Sequence, residues 1–160
     1  MPSGILKTSW SYGPAAHGTG PRAALVVSVT EFVTHRAWGT PAVAAEGMRL
    51  RRSWPLTPGA VAVRLWMDKG FRLNRSGSVT VWTDEASLMK FVARPDHMRV
   101  VRAFRGRGVM RSALRETVAA APSGPAAGPD LTPVWAYAER ILTGAEPWSR
   151  EDVVGLDPGP

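Results

Sequence analysis

Four stretches of the chain alternate apolar, mostly β-branched residues with other types: 24–33 (ALVVSVTEFV), 60–67 (AVAVRLWM), 78–82 (SVTVW) and about 109–118. A period of two belongs to strands with two distinct faces. Between the first two stretches, Thr40-Pro41 is a cap-then-proline start for a helix reaching about Ser53. Segment 68–77 carries two glycines and Asn74 and reads as a connection. After the third stretch, Thr83 is placed to cap a helix whose first turn holds Asp84 and Glu85, which suits the positive end of a helix dipole. That helix breaks at Arg94-Pro95 and restarts to Phe104.

The order is β-α-β-β-α-β, the ferredoxin-like arrangement of the α+β class: one antiparallel sheet with both helices on one face. The other face then needs a cover, most simply a second copy of the sheet, which implies a homodimeric barrel. Residues 1–21, polar and rich in Gly and Pro, read as a flexible arm, and 22–118 as the barrel domain. Segment 119–130 reads as a linker. A C-terminal helix follows over 131–144, capped by Thr132, with Pro133 at its first position and Gly144 closing it. Residues 145–160 read as a loose tail.

A chain of 160 residues with 44% hydrophobic and 21% charged residues fits one globular domain. It has no cysteine, which excludes disulfide scaffolds, thiolate metal sites and a Cys nucleophile. No signal-peptide pattern and no apolar run of spanning length is present, so the reading is a cytoplasmic protein with no membrane partner. The net charge of +7 raises nucleic acid as a partner. The arginines are scattered, however, and no zinc-finger, basic-zipper or RNP pattern occurs, which argues against it.

The strand faces carry the functional reading. Leu25, Val27 and Val29, with Val79 and Val81, make an aliphatic face suited to a covering of helices; Val61, Val63, Leu65 and Met67 are grouped with them. The opposite face holds Ser28, Thr30 and Phe32, then Arg64 and Trp66, then Ser78, Thr80 and Trp82. Hydroxyls, an arginine and indoles make a poor dry core but a good pocket wall. The same residues also suit an interface. On the fourth strand, either Arg111 and Arg115 or Ser112 and Glu116 share that face.

The segment Val79 to Arg105 (VTVWTDEASLMKFVARPDHMRVVRAFR) resembles the strand–Trp–acidic helix–His segment of antibiotic-biosynthesis-monooxygenase-like dimeric α+β barrels, through Trp82, Asp84-Glu85 and His97. The preceding RLWMDKGF, Arg64 to Phe71, is similar to the spheroidene-monooxygenase-like branch. The resemblance implies a homodimer with a pocket for a small hydrophobic substrate, aromatic, polyene or polyketide. It also implies a range of activities: cofactor-free oxygenation, haem binding or degradation, and non-redox cyclisation or isomerisation.

By residue, His97 shares a helical face with Val100, Val101 and Phe104. It is placed as a packed core residue, a general acid/base, or an axial ligand if haem is bound. Arg64 is a candidate for stabilising developing negative charge, or else an ion-pair partner of Glu31 or Glu116. Asp68 is a further acid/base candidate or a loop cap. Thr30, Phe32, Trp66, Thr80 and Trp82 are the candidate substrate-binding residues. No ligand spacing points to a metal site, and no nucleotide-binding fingerprint is present, so no cofactor other than haem is implied. The function expected is a monooxygenase-like enzyme of secondary metabolism. The alternatives are a cyclase or isomerase using the same pocket, and a basic, non-enzymatic binding or dimerisation module.

Overall fold

A computed structural model describes residues 4–69, 74–122 and 128–152. The sequence stretches 70–73 of the expected connection, 123–127 of the expected linker and 153–160 of the expected tail lie outside it. Among the described residues, seven antiparallel strands form one sheet: β1 (Ile5–Lys7), β2 (Ser11–Tyr12), β3 (Ala24–Thr34), β4 (Ala60–Asp68), β5 (Arg75–Trp82), β6 (Gly108–Val118) and β7 (Arg150–Asp152). The order is β1-β4-β5-β3-β6-β7, with β2 also on the β4 edge. The central β4-β5-β3-β6 set, linked by α1 (Thr40–Arg52) and by α2 (Glu85–Val92) with α3 (Pro95–Phe104), is the expected ferredoxin-like unit.

Local chemistry sets the helix ends. Asp84, rather than the expected Thr83, caps α2: its side chain accepts the Ser87 N–H at 2.7 Å. Arg94 has extended backbone and Pro95 opens α3, so the chain turns there as expected. In the C-terminal helix α4 (Thr132–Leu142), Thr132 lies inside the first turn, and its N–H is bound by Asp130 Oδ1 at 3.0 Å.

The two sheet faces are covered differently from expectation. Helices α1, α2 and α3 lie on the mixed face, where Trp54, Trp82, Leu88 and Phe91 pack with Val26 and Val63. The aliphatic face of Leu25, Val27, Val29, Val79 and Val81 is covered by α4, through Val134, Trp135, Ala138, Ile141 and Leu142. The cover expected from a second copy is thus supplied within the chain, because α4 carries an apolar stripe wide enough to seal the face. The expected arm also belongs to this body, since β1 and β2 hydrogen-bond to β4 and Ala16 is buried. Gly13 lets β2 close on β4; a Cβ there would lie 2.2 Å from the Ala60 carbonyl oxygen. In the expected tail, Trp148 packs against the α4-side core and β7 pairs with β6.

A β-bulge reverses the expected facing of β4. Ala60 pairs with Trp82 and Ala62 with Val81, so Val61 is an extra residue. Beyond it, Val63, Leu65 and Met67 oppose Thr80, Ser78 and Ser76, on the face of the three helices. Arg64 and Trp66 oppose Val79 and Gly77 and belong to the α4 face. On β6, Ser112 pairs with Thr30 and Met110 with Phe32, which sends Arg111 and Arg115 toward α4.

Candidate functional site

A cavity of about 480 Å³ lies between the helix-covered sheet face and helices α1 and α3. Its floor is built by strand alternation: Thr30 and Phe32 from β3, Val63, Leu65 and Met67 from β4, and Ser76, Ser78 and Thr80 from β5. Its roof is Val43, Ala44, Gly47 and Met48 of α1 and His97, Val100, Val101 and Phe104 of α3. Trp54 and Phe91 close one end. The walls are largely apolar, with a strip of hydroxyls along the floor and one imidazole in the roof.

Of the residues anticipated from sequence, Thr30, Phe32, Trp66, Thr80 and His97 border this cavity. His97 is half-buried, and its Nδ1 lies 3.0 Å from the Val92 carbonyl oxygen. A carbonyl only accepts, so Nδ1 carries the hydrogen and Nε2 is the basic nitrogen. Burial pushes the His97 pKa below its ordinary value, against the Val92 hydrogen bond and the nearby Asp96 charge. Although burial alone would raise the Asp96 carboxyl, hydrogen bonds from Arg94 and from the His97 backbone N–H hold it below the carboxylate range. The α2–α3 corner is therefore fixed around an imidazole whose neutral form is favoured by burial.

The floor hydroxyls are oriented from behind. Trp82 is fully buried outside the cavity, packed edge-on to Trp54 and tilted against Phe91, and its Nε1–H donates to Thr80 Oγ1 at 2.9 Å. Trp82 thus acts on the cavity through Thr80 rather than as a wall. Thr30 Oγ1 and Ser78 Oγ are paired at 2.9 Å, and Thr30 Oγ1 also accepts the Ser78 N–H at 3.2 Å. Ser76 Oγ, shielded from solvent in the same wall, has no hydrogen-bond partner among the described residues.

The structure separates Arg64 and Asp68 from this group. Arg64 crosses to the α4 side, where its guanidinium stacks on Trp10 at 4.5 Å and Trp135 at 5.1 Å. It borders a second cavity of about 550 Å³ with Lys7, Tyr12 and Asp130. Burial lowers the Arg64 pKa, opposed by the nearby Tyr12 and Glu139. Trp66 borders the first cavity, yet its indole packs in the α4-side core and donates to the Thr30 carbonyl at 3.2 Å. Asp68 lies 3.6 Å from Arg75 Nη1. The expected pairing of Glu31 with Arg64 is replaced: buried Glu31 receives Arg75 at 2.6 Å and Arg111 on its other oxygen. Arg75 also bonds the Leu142 carbonyl at 3.0 Å, tying the end of α4 to the sheet.

Sequence reasoning missed Ser76, Trp54, Phe91 and Arg51, all of which border the cavity. Ser76, Ser78 and Thr80 form a hydroxyl series at a spacing of two, hidden because Gly77 reads as a loop residue. That glycine is required inside the strand. A Cβ would lie 1.9 Å from the Thr30 carbonyl oxygen and 2.9 Å from Trp66 Nε1, so only glycine lets the indole cross.

No protein-family model matches the sequence, and no curated protein matches it significantly. Solved structures do. The protein SO0527 of Shewanella oneidensis superposes with a TM-score of 0.53 at 16% identity, covering 62% of this chain and 96% of that one. LmHde, a haem-degrading enzyme of Listeria monocytogenes, gives 0.50 at 13% identity, covering 71% of each chain. This chain shares its ferredoxin-like α+β fold with these two structures. SnoaB, a cofactor-independent oxygenase of Streptomyces nogalater, is a further match at 0.49, with 22% identity over 65% of this chain and all of that one. At these identities the shared property is the fold. Among the described residues, no group of His, Cys, Asp and Glu is arranged to hold a metal, and no helix is long and apolar enough to cross a membrane.

Proposed function

We propose that the cavity under α1 and α3 binds a small hydrophobic aromatic or polyene molecule, and that the protein is a monooxygenase-like enzyme acting on it without a cofactor. The observation that carries this reading is His97: a neutral imidazole in an otherwise apolar cavity, its Nδ1–H committed to the Val92 carbonyl. Nε2 then takes a proton from an acidic C–H or phenol of the bound molecule. Thr80 accepts from Trp82, so its own O–H remains to be donated to the oxygen on which negative charge develops. The His97–Phe91 contact at 5.1 Å and the Phe91–Trp82 contact at 5.3 Å bring base and donor to the same aromatic end.

The electron-rich anion so formed passes an electron to dissolved oxygen. The two radicals join in a new C–O bond, and the resulting peroxide anion takes a proton back from His97. Loss of water from the hydroperoxide leaves a carbonyl, so one oxygen atom enters the product and the other leaves in water. The apolar walls keep bulk water from quenching the anion.

Haem is the second reading, favoured by the same tautomer. His97, with Nδ1 anchored and Nε2 left to bind, and Arg51, bordering the cavity with its Nε unpartnered among the described residues, would be the residues that hold it. Bound haem would supply oxygen activation or be itself degraded. Titration with haemin separates the readings. A Soret band that shifts in His97→Ala assigns haem; a spectrum unchanged from free haemin supports cofactor-free chemistry. Product formed equally with and without oxygen would instead assign a cyclase or isomerase.

A further inference from the structure

The outer surface of the α1/α3 layer is predominantly basic. On α1, Arg49 and Arg52 are exposed; on α3, Arg99 and Arg102 are exposed, opposite the cavity-facing His97, Val100, Val101 and Phe104. Arg105 and Arg107 extend the surface past the end of α3. The acids on this layer are already engaged: Glu46 binds Arg49 at 3.1 Å and Arg99 at 3.2 Å, and Asp96 binds Arg94 at 2.5 Å. Among the described residues, Arg52, Arg102 and Arg105 make no ion pair.

Exposed apolar groups accompany this charge. Leu6 and Met48 border the cavity and are 46% and 37% exposed, so the cavity opens through an apolar mouth beside α1. Trp38, 76% exposed, precedes α1, and Leu56, 86% exposed, follows it. Thirteen residues of helix set these two anchors roughly 20 Å apart at either end of a basic helix. Between the arginines the outward positions are Ala42, Ala45 and Ala103, which offer no hydroxyl or amide to phosphate oxygens or base edges.

We propose that the α1/α3 face docks on an anionic lipid surface, with the cavity mouth turned toward the bilayer. Arginines near a negative leaflet gain electrostatic attraction, while Trp and Leu side chains enter the interface. An apolar ligand partitioned into the bilayer then reaches the cavity without crossing water. This loading role rests on the cavity being an apolar-ligand site; the docking does not, and it is measured with no ligand present.

The experiment is co-sedimentation of the full chain with phosphatidylserine–phosphatidylcholine vesicles and with phosphatidylcholine vesicles alone. Binding is expected to the anionic vesicles only and to weaken with added salt. In Arg52→Gln/Arg102→Gln/Arg105→Gln it falls on the order of a hundredfold, with the thermal midpoint unchanged. Trp38→Ser and Leu56→Ser weaken it with all charges retained. Equal binding to both vesicle types, or to neither, overturns the proposal. So does tighter binding to duplex DNA or to an acidic protein such as α-lactalbumin than to anionic vesicles at the same salt.

Discussion

Trp82 donates its indole N–H to the Thr80 hydroxyl at 2.9 Å, and so fixes the direction in which a residue of the cavity floor offers its own hydrogen. In Trp82→Phe the ring still packs against Trp54 and Phe91, but Thr80 is free to turn. The expected result is a loss of about 1 kcal/mol of stability from the missing hydrogen bond and the slightly smaller ring. Turnover falls more than ligand affinity, because the donor serves the charged state. Thermal unfolding together with the split between kcat and KM checks both.

Gly77→Ala is expected to be far more damaging than an exposed glycine substitution. Its Cβ would meet the Thr30 carbonyl at 1.9 Å, which is backbone and has nowhere to move within three paired strands. Overpacking of this kind costs roughly 1–3 kcal/mol or more. Denaturant unfolding should show a lowered midpoint together with loss of the Trp66–Thr30 hydrogen bond, read as a changed Trp emission.

Glu31→Gln leaves Arg75 and Arg111 without their shared carboxylate in a buried position. Removing one member of a buried ionic group costs about 3 kcal/mol, toward the lower end because both guanidinium groups reach solvent. The end of α4 loosens with it, since Arg75 also holds the Leu142 carbonyl. Dye binding to the exposed Val27–Val29–Val79–Val81 face is the expected accompaniment.

The core of the fold was legible because alternation and capping act locally. Val27, Val29, Val79 and Val81 fall on one face by simple period, and the Arg94-Pro95 break follows from the proline ring. The facing of Arg64 was not legible. The bulge at Val61 lies inside an uninterrupted AVAV pattern, which carries no local sign of it. The lining of the candidate cavity was in part readable: Thr30, Phe32, Thr80 and His97, which border it, are set on that side by their strand and helix periods. Trp82 was placed on the right face but one layer too deep to line the cavity. The role of α4 as cover for the sheet depends on a tertiary contact across the linker, which no local pattern carries.

His97 titration should appear in stability as well as activity. Burial lowers its folded-state pKa, so the unfolded chain binds the proton first as pH falls. Its contribution is therefore complete above the ordinary imidazole value of about 6.5 and is lost as pH drops through the depressed folded value. His97→Gln should flatten that part of the stability curve, as followed by chemical denaturation across the acid range.

The most direct test of the central claim is oxygen uptake by the wild-type protein and His97→Gln with an electron-rich polycyclic phenol, measured across pH without added metal or haem. Uptake is expected to rise with pH through a value below that of free imidazole and to be equimolar with substrate consumed. In His97→Gln, uptake is lost while substrate binding in the cavity persists. Undiminished uptake in His97→Gln, or no binding of apolar ligands by the wild-type protein, would contradict it.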